Sequence, residues 1–212
     1  MQYRQAYLES LQNFAAKDPS FMAEAAGGSY KTEERKIEFL YLGRLCLVIH
    51  PEGGITVDGW PAPSHEEQII ILQYLAGASS LPLRNQWLSF LQLPGGPHHF
   101  APFQKEAIFP LARKFGPQPE MFRQAAGFLG GVPTTLGHVG MIIPVFPLVP
   151  LGIILWTGDE EFAPSANILF DSSVQTHLST SALYMMGIAV AQRLLHYPEH
   201  PDRNWYSTAV SG

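Results

Sequence analysis

The chain has 212 residues, with Lys and Arg totalling 13 against 18 Asp and Glu, for a formal net charge of -5. That length suits one domain large enough to bury a core without a metal or disulfide staple, and 46% hydrophobic with only 15% charged residues excludes a disordered chain. An acidic chain repels phosphate backbones, which excludes general nucleic-acid binding, and the lone Cys46 excludes an internal disulfide or an iron–sulfur cluster held by this chain alone.

Helical spacing of Tyr7, Leu11 and Phe14 predicts a helix over residues 3–16, polar enough not to be a signal peptide, and Asp18-Pro19 ends it. A loop is expected through Gly27-Gly28. Residues 37–42 and 45–49 read as strands joined at Gly43-Arg44, and residues 55–57 as a third. Cys46, between Leu45 and Leu47, reads as a buried strand residue. Ser64 with Glu67 three residues on is a capping-box pattern, opening a helix to about Gly77.

Residues 87–93 read as extended, and Pro94-Gly95-Gly96-Pro97 as a turn. Pro102 is expected to open a helix that is kinked at Pro110 and stopped at Gly116-Pro117, with a short helix over residues 120–129 after it. No Asp, Glu, Lys or Arg occurs from Gln124 to Gly158. The 18 residues 139–156 are long enough to raise the question of a membrane span. Pro144, Pro147 and Pro150 argue against it, since each removes a backbone donor and lipid does not tolerate unpaired backbone. The expectation is a buried, polyproline-like extended piece running into a central strand at residues 151–156. Residues 168–170 read as a further strand, Asp171-Ser172-Ser173 as a cap, and residues 181–196 as a buried helix without charge before Arg193. Strands and helices mix without regular alternation. The expected fold is therefore α+β, a single globular domain over residues 1–212 with a mostly antiparallel or mixed sheet packed with several helices.

The acidic cluster Asp159, Glu160 and Glu161 follows a strand, and Asp171 closes another apolar stretch. Hard divalent cations favour such carboxylates, so these four are the candidate metal ligands; turn formation and capping are the plainer roles. His98-His99 follows the Gly95-Gly96 turn, and a loop imidazole can ligate a transition metal or a tetrapyrrole's metal. Adjacent side chains usually point apart, so one at most would serve. Trp87 and Phe90 belong to an aromatic block that either lines a flat-ligand pocket or is plain core. His196 and His200 are four apart, but Pro198 between them spoils a helical zinc clamp. The glycines match neither a phosphate loop nor a dinucleotide fingerprint, and the serines form no nucleophile elbow.

The run Trp87-Leu88-Ser89-Phe90 before Leu93-Pro94-Gly95-Gly96 resembles a block of the family catalogued as domain of unknown function 3786. So do Pro147-Leu148-Val149-Pro150-Leu151, Ile154-Leu155-Trp156, Gly158-Asp159-Glu160-Glu161-Phe162 and Ile168-Leu169-Phe170-Asp171, in order and spacing over nearly the whole chain. The resemblance carries no established activity. It implies a context in bacteria and archaea, largely anaerobes, where some members look like fusions to a cysteine-rich iron–sulfur segment of the kind found in corrinoid iron–sulfur proteins. This chain lacks that segment. It also reads Leu178-Ser179-Thr180-Ser181 where the family tends to have an acidic pair, so no carboxylate role carries over there.

These readings converge on a cytoplasmic accessory protein of anaerobic metabolism that binds a small molecule or metallocofactor of the corrinoid or haem type. Trp87, Phe90, Gly95, Gly96, His98 and His99 are the expected cofactor contacts. The competing reading is a metal-dependent hydrolase or transferase using the four carboxylates. No membrane and no nucleic-acid partner is expected. The segment from Pro144 to Pro150 is the expected edge for self-association or a partner protein.

Overall fold

The computed structural model describes residues 2–197. Helix α1 (Gln2–Ala15) buries Phe14 and stops before Asp18. Asp18 does more than end it: its carboxylate accepts the Phe21 amide at 2.8 Å and caps a second helix, α2 (Pro19–Ala25), where the sequence predicts loop. Proline at the first helical position sacrifices a donor that has no partner there anyway.

Four short strands then form an antiparallel meander: β1 (Ser29–Lys31), β2 (Lys36–Tyr41), β3 (Arg44–Ile49) and β4 (Ile55–Val57). Alternation turns Ile37, Phe39 and Tyr41 of β2, and Cys46 and Val48 of β3, into the core. The β2–β3 turn is Leu42-Gly43, one residue earlier than the sequence suggests. Both residues have positive φ (50° and 74°), the geometry a tight hairpin needs. A side chain at Gly43 would also press on the Gly130 backbone, 3.0 Å from its Cα.

Helix α3 (His65–Gly77) begins with the capping box the sequence predicts. Ser64 Oγ accepts the Glu67 amide at 3.1 Å, and Glu67 Oε2 accepts the Ser64 amide at 3.0 Å. After β5 (Trp87–Ser89) the chain tightens into a 3₁₀ turn at Phe90–Gln92, which ends the extended run early. The next helix starts at Gly96, so Pro102 lies inside it instead of opening it. It runs as α4 (Gly96–Phe103), one π turn (Gln104–Ile108) and α5 (Phe109–Phe115). Pro110 has no amide for the preceding turn, and the Glu106 carbonyl is met instead by the Gln192 side chain at 3.5 Å. Helix α6 (Pro119–Phe128) follows.

The uncharged run is a β-hairpin, not a polyproline-like piece. Strands β7 (Val139–Phe146) and β8 (Val149–Trp156) pair antiparallel at the centre of a second sheet, completed by β6 (Val132–Thr134) and β9 (Ser165–Asp171) in the order β5-β9-β8-β7-β6. Pro144 sits opposite Pro150 next to a register shift, where missing donors interrupt the ladder least. The tip is packed inward: the Leu42 amide donates to the Val145 carbonyl at 3.1 Å, and the Leu148 amide to the Tyr74 hydroxyl at 3.3 Å. Residues 144–150 are thus half-buried or buried within the fold, where the sequence suggests an open edge. Among the described residues no helix is long and apolar enough to cross a membrane.

Helix α7 (Thr180–Leu195) is capped by Ser179, which accepts the Ala182 amide; Asp171 is used elsewhere. Gly187 lets α7 press on α4, since a Cβ there would meet the Phe103 ring at 2.7 Å. Between the two sheets and α3, Tyr74 stacks on Phe146 (4.2 Å, 12°) beside Phe39 and Tyr41. One continuous buried cluster runs from Phe14 to Leu194, and both sheets are antiparallel, giving an α+β fold.

Candidate functional site

The loop between β8 and β9 carries Asp159, Glu160 and Glu161. Asp159 Oδ1 accepts the amides of Glu161 (2.9 Å) and Phe162 (2.8 Å), while its own amide donates to the Phe162 carbonyl. The Phe162 and Glu161 amides, with His138 nearby, hold the Asp159 carboxyl below its ordinary pKa. Glu160 and Glu161 stand in solvent.

Asp171 sits at the other end of β9. That strand is 7 residues long, about 20 Å at ~3.3 Å per residue. Asp171 is fully buried and accepts four hydrogen bonds: from the amides of Arg84 (3.0 Å), Asn85 (2.6 Å) and Ser173 (2.9 Å), and from the Ser173 hydroxyl (2.6 Å). Burial alone would raise its pKa, but these donors outweigh it and leave the group below the ordinary value. Its place is that of a staple holding the chain before β5 to the sheet. The four expected metal ligands therefore do not meet. Among the described residues no group of three or more His, Cys, Asp or Glu is gathered to hold a metal ion. His200 lies outside the described residues.

The aromatic block is divided between core and surface. Phe90 is fully buried and stacked on Phe103 (4.3 Å, 22°), with Phe170 and Tyr184 around them. Trp87 is half-buried and lies over Gly152, where a Cβ would come within 3.3 Å of the indole. His98 and His99 are exposed on the first turn of α4, with His99 edge-on to Tyr184 at 6.1 Å. Gly95 holds φ 75°, and Gly96 passes too close to the Phe90 carbonyl for any side chain. Both glycines have backbone reasons to be there.

An open pocket of about 590 Å³ lies instead at the end of the β8–β9 hairpin. It is lined by His138, Trp156, Gly158, Asp159, Phe162, Ala163 and Ser165. Trp156 and Phe162 expose 36% and 69% of their surface there. His138 Nδ1 lies 3.4 Å from both the amide and the hydroxyl of Thr157. When the ring takes the amide, Nε2 carries the proton and donates; when Nδ1–H donates to the hydroxyl, Nε2 presents a lone pair. One imidazole can thus serve as donor or as metal ligand. Asp159 is the one expected site residue in this pocket. Trp156, Phe162 and His138 are legible only as a strand end, a post-turn residue and a loop residue until the hairpin closes.

Two further polar groupings lie elsewhere. A cleft of about 410 Å³ between α1, α3 and the start of α7 is lined by Ser10, Asn13, Lys17, Gln73, His177 and Ser179. His177 is 3% exposed, and burial pushes its pKa down against the Leu81 carbonyl and Asp171. The second is a buried ion pair. Glu67 Oε1 accepts Arg193 Nε at 2.9 Å, Arg193 Nη2, and the Tyr41 hydroxyl at 3.1 Å. The side chains of Glu67 and Arg193 are 2% and 8% exposed. Burial first, then the Glu67 carboxylate, pushes the Tyr41 phenol and the Cys46 thiol well up, so both stay protonated and Cys46 is no nucleophile.

The sequence model of the family described as Domain of unknown function (DUF3786) matches residues 18–193. The chain belongs to this family. No curated protein and no solved structure matches it. The matched span of this DUF3786 chain contains the whole hairpin-end pocket and the whole Glu67–Arg193 grouping, whereas α1, one wall of the cleft, precedes it.

Proposed function

We propose that the protein is a binding module, and that its ligand is a flat, largely apolar molecule with a polar or metal-bearing centre, of the corrinoid or haem class, held at the end of the β8–β9 hairpin. The observation that carries this reading is that two exposed aromatic rings, Trp156 and Phe162, open on the same pocket as an imidazole and a carboxylate. A pocket of about 590 Å³ falls in the range typical of small-molecule sites, and such sites pair apolar walls with few polar groups. Covering roughly 100 Å² of apolar surface on the two rings contributes about 2.5 kcal/mol at ~25 cal/mol per Å². The hydrolase reading has no comparable support, because Asp159 lies in the loop before β9 and Asp171 at the far end of that strand.

The test is an absorption titration of the full chain with haem and with cobalamin. A shifted band that saturates at one ligand per chain, and that weakens about tenfold or more in Phe162→Ser and His138→Ala, supports the reading. An unchanged spectrum with no heat of binding removes it.

A further inference from the structure

Around Trp60, buried hydrogen-bond donors gather without an acceptor. The guanidinium carbon of Arg193 lies 3.8 Å from the centre of the Trp60 ring, and that of Arg44 5.0 Å from the same centre. Arg44 is at the same time 4.8 Å over Phe128. Two cations share one indole, yet Glu67 answers only Arg193. Among the described residues Arg44 has no carboxylate partner; its Nη1 reaches only the Asp58 carbonyl, at 3.5 Å. The grouping therefore carries one positive charge more than it balances.

Three of its buried nitrogens have no hydrogen-bond partner among the described residues: Arg44 Nε, Trp60 Nε1 and Arg193 Nη1. All three can only donate. A buried donor left unmade costs about 1–3 kcal/mol, more on a charged group, so three around one ring call for an occupant. Glu67 does not supply the acceptor: its oxygens take Arg193 Nε and Nη2, Tyr41 and the Ser64 amide, and none of the three. The Tyr41 hydroxyl donates to Glu67, and its oxygen accepts from none of the three nitrogens. A water offers lone pairs but no charge. An oxyanion offers several lone pairs and the missing negative charge, and guanidinium groups match carboxylate and phosphate oxygens best. Arg44 and Trp60 are half-buried as residues, so the cluster lies at the edge of the core although the three nitrogens themselves are covered.

We propose that this cluster binds a small oxyanion, a carboxylate or phosphate group, with Arg44 and Arg193 as its cationic contacts and Trp60 Nε1 as a neutral donor. The site shares no residue with the hairpin-end pocket, so each stands or falls alone. The experiment is calorimetric titration of the full chain with inorganic phosphate and with acetate, against sodium chloride at equal ionic strength. Two variants accompany it. Arg44→Gln removes the cation that has no ion pair, and Trp60→Phe keeps the ring while removing one donor. Circular dichroism checks that each is folded, and if one is not, the other decides.

One saturable site is expected, weakened about tenfold or more in Arg44→Gln and about three- to tenfold in Trp60→Phe. Saturation by phosphate alone identifies a phosphoryl ligand, and by acetate alone a carboxylate; either supports the proposal. No saturable binding of either anion across the millimolar range, or binding that both substitutions leave unchanged, overturns it.

Discussion

Removing the Glu67 carboxylate should destabilise this protein more than most core truncations. Glu67 is 2% exposed and accepts from Arg193, Tyr41 and the Ser64 amide at once. In Glu67→Ala the Arg193 guanidinium stays buried without its counter-charge, at a cost of about 3–5 kcal/mol. The Glu67 half of the α3 capping box goes with it, leaving the buried Ser64 amide without its acceptor and adding about 1 kcal/mol. Against a whole-domain stability of about 5–15 kcal/mol, that removes a large share. Glu67→Gln retains an acceptor for the cap and should fall between wild type and Glu67→Ala. Replacing both partners by methionine leaves no uncompensated charge, so the double variant should be more stable than either single alanine variant. The assay is urea unfolding followed by far-ultraviolet circular dichroism. A loss under about 1 kcal/mol in Glu67→Ala, or a double variant as unstable as the summed singles, would refute the reasoning.

Asp171→Asn places an amide against donors that need an acceptor, and is expected to cost about 3 kcal/mol at neutral pH in the same assay. The pKa of Asp171 is lower folded than unfolded, so its contribution is full above about pH 4 and fades as the pH drops through the folded value; the gap between wild type and variant should close there, and a gap constant into strong acid would count against it. In His177 it is burial that lowers the pKa, so below about pH 6.5 the unfolded chain takes up a proton that the folded one resists. Stability should therefore decline from pH 7 to pH 5, and His177→Gln should flatten that slope; equal slopes in thermal melts would contradict this assignment.

The parts of the fold that local chemistry decides are legible in the sequence. Ser64 and Glu67 specify the start of α3, and the alternation in β2 and β3 specifies which face is buried. What is not legible depends on partners far along the chain. Strands β1 and β6, three residues each, exist because β2 and β7 offer an edge. The uncharged run looks unpairable by its prolines, yet two of them face each other where the ladder shifts register. Glu67 and Arg193 lie 126 positions apart, and the only hint was a single cation on an otherwise uncharged helix. The candidate site follows the same division. Asp159 stands out as an acidic turn residue, whereas Trp156, Phe162 and His138 become a pocket only when β8 folds back on β9 beside the start of β7. The Trp87–Phe90 block and its neighbouring histidines are conspicuous in sequence, but Phe90 fills core and the two histidines stand outside it.

Amide nuclear magnetic resonance spectra of the full chain, recorded while haem or cobalamin is added, test the ligand assignment most directly because each site reports separately. The account predicts shifts concentrated at His138, at Trp156 and its indole N–H, and across residues 158–165, with the surroundings of Trp60 unmoved. Shifts centred instead on Trp87, His98 and His99, or no shifts with either compound, would contradict it.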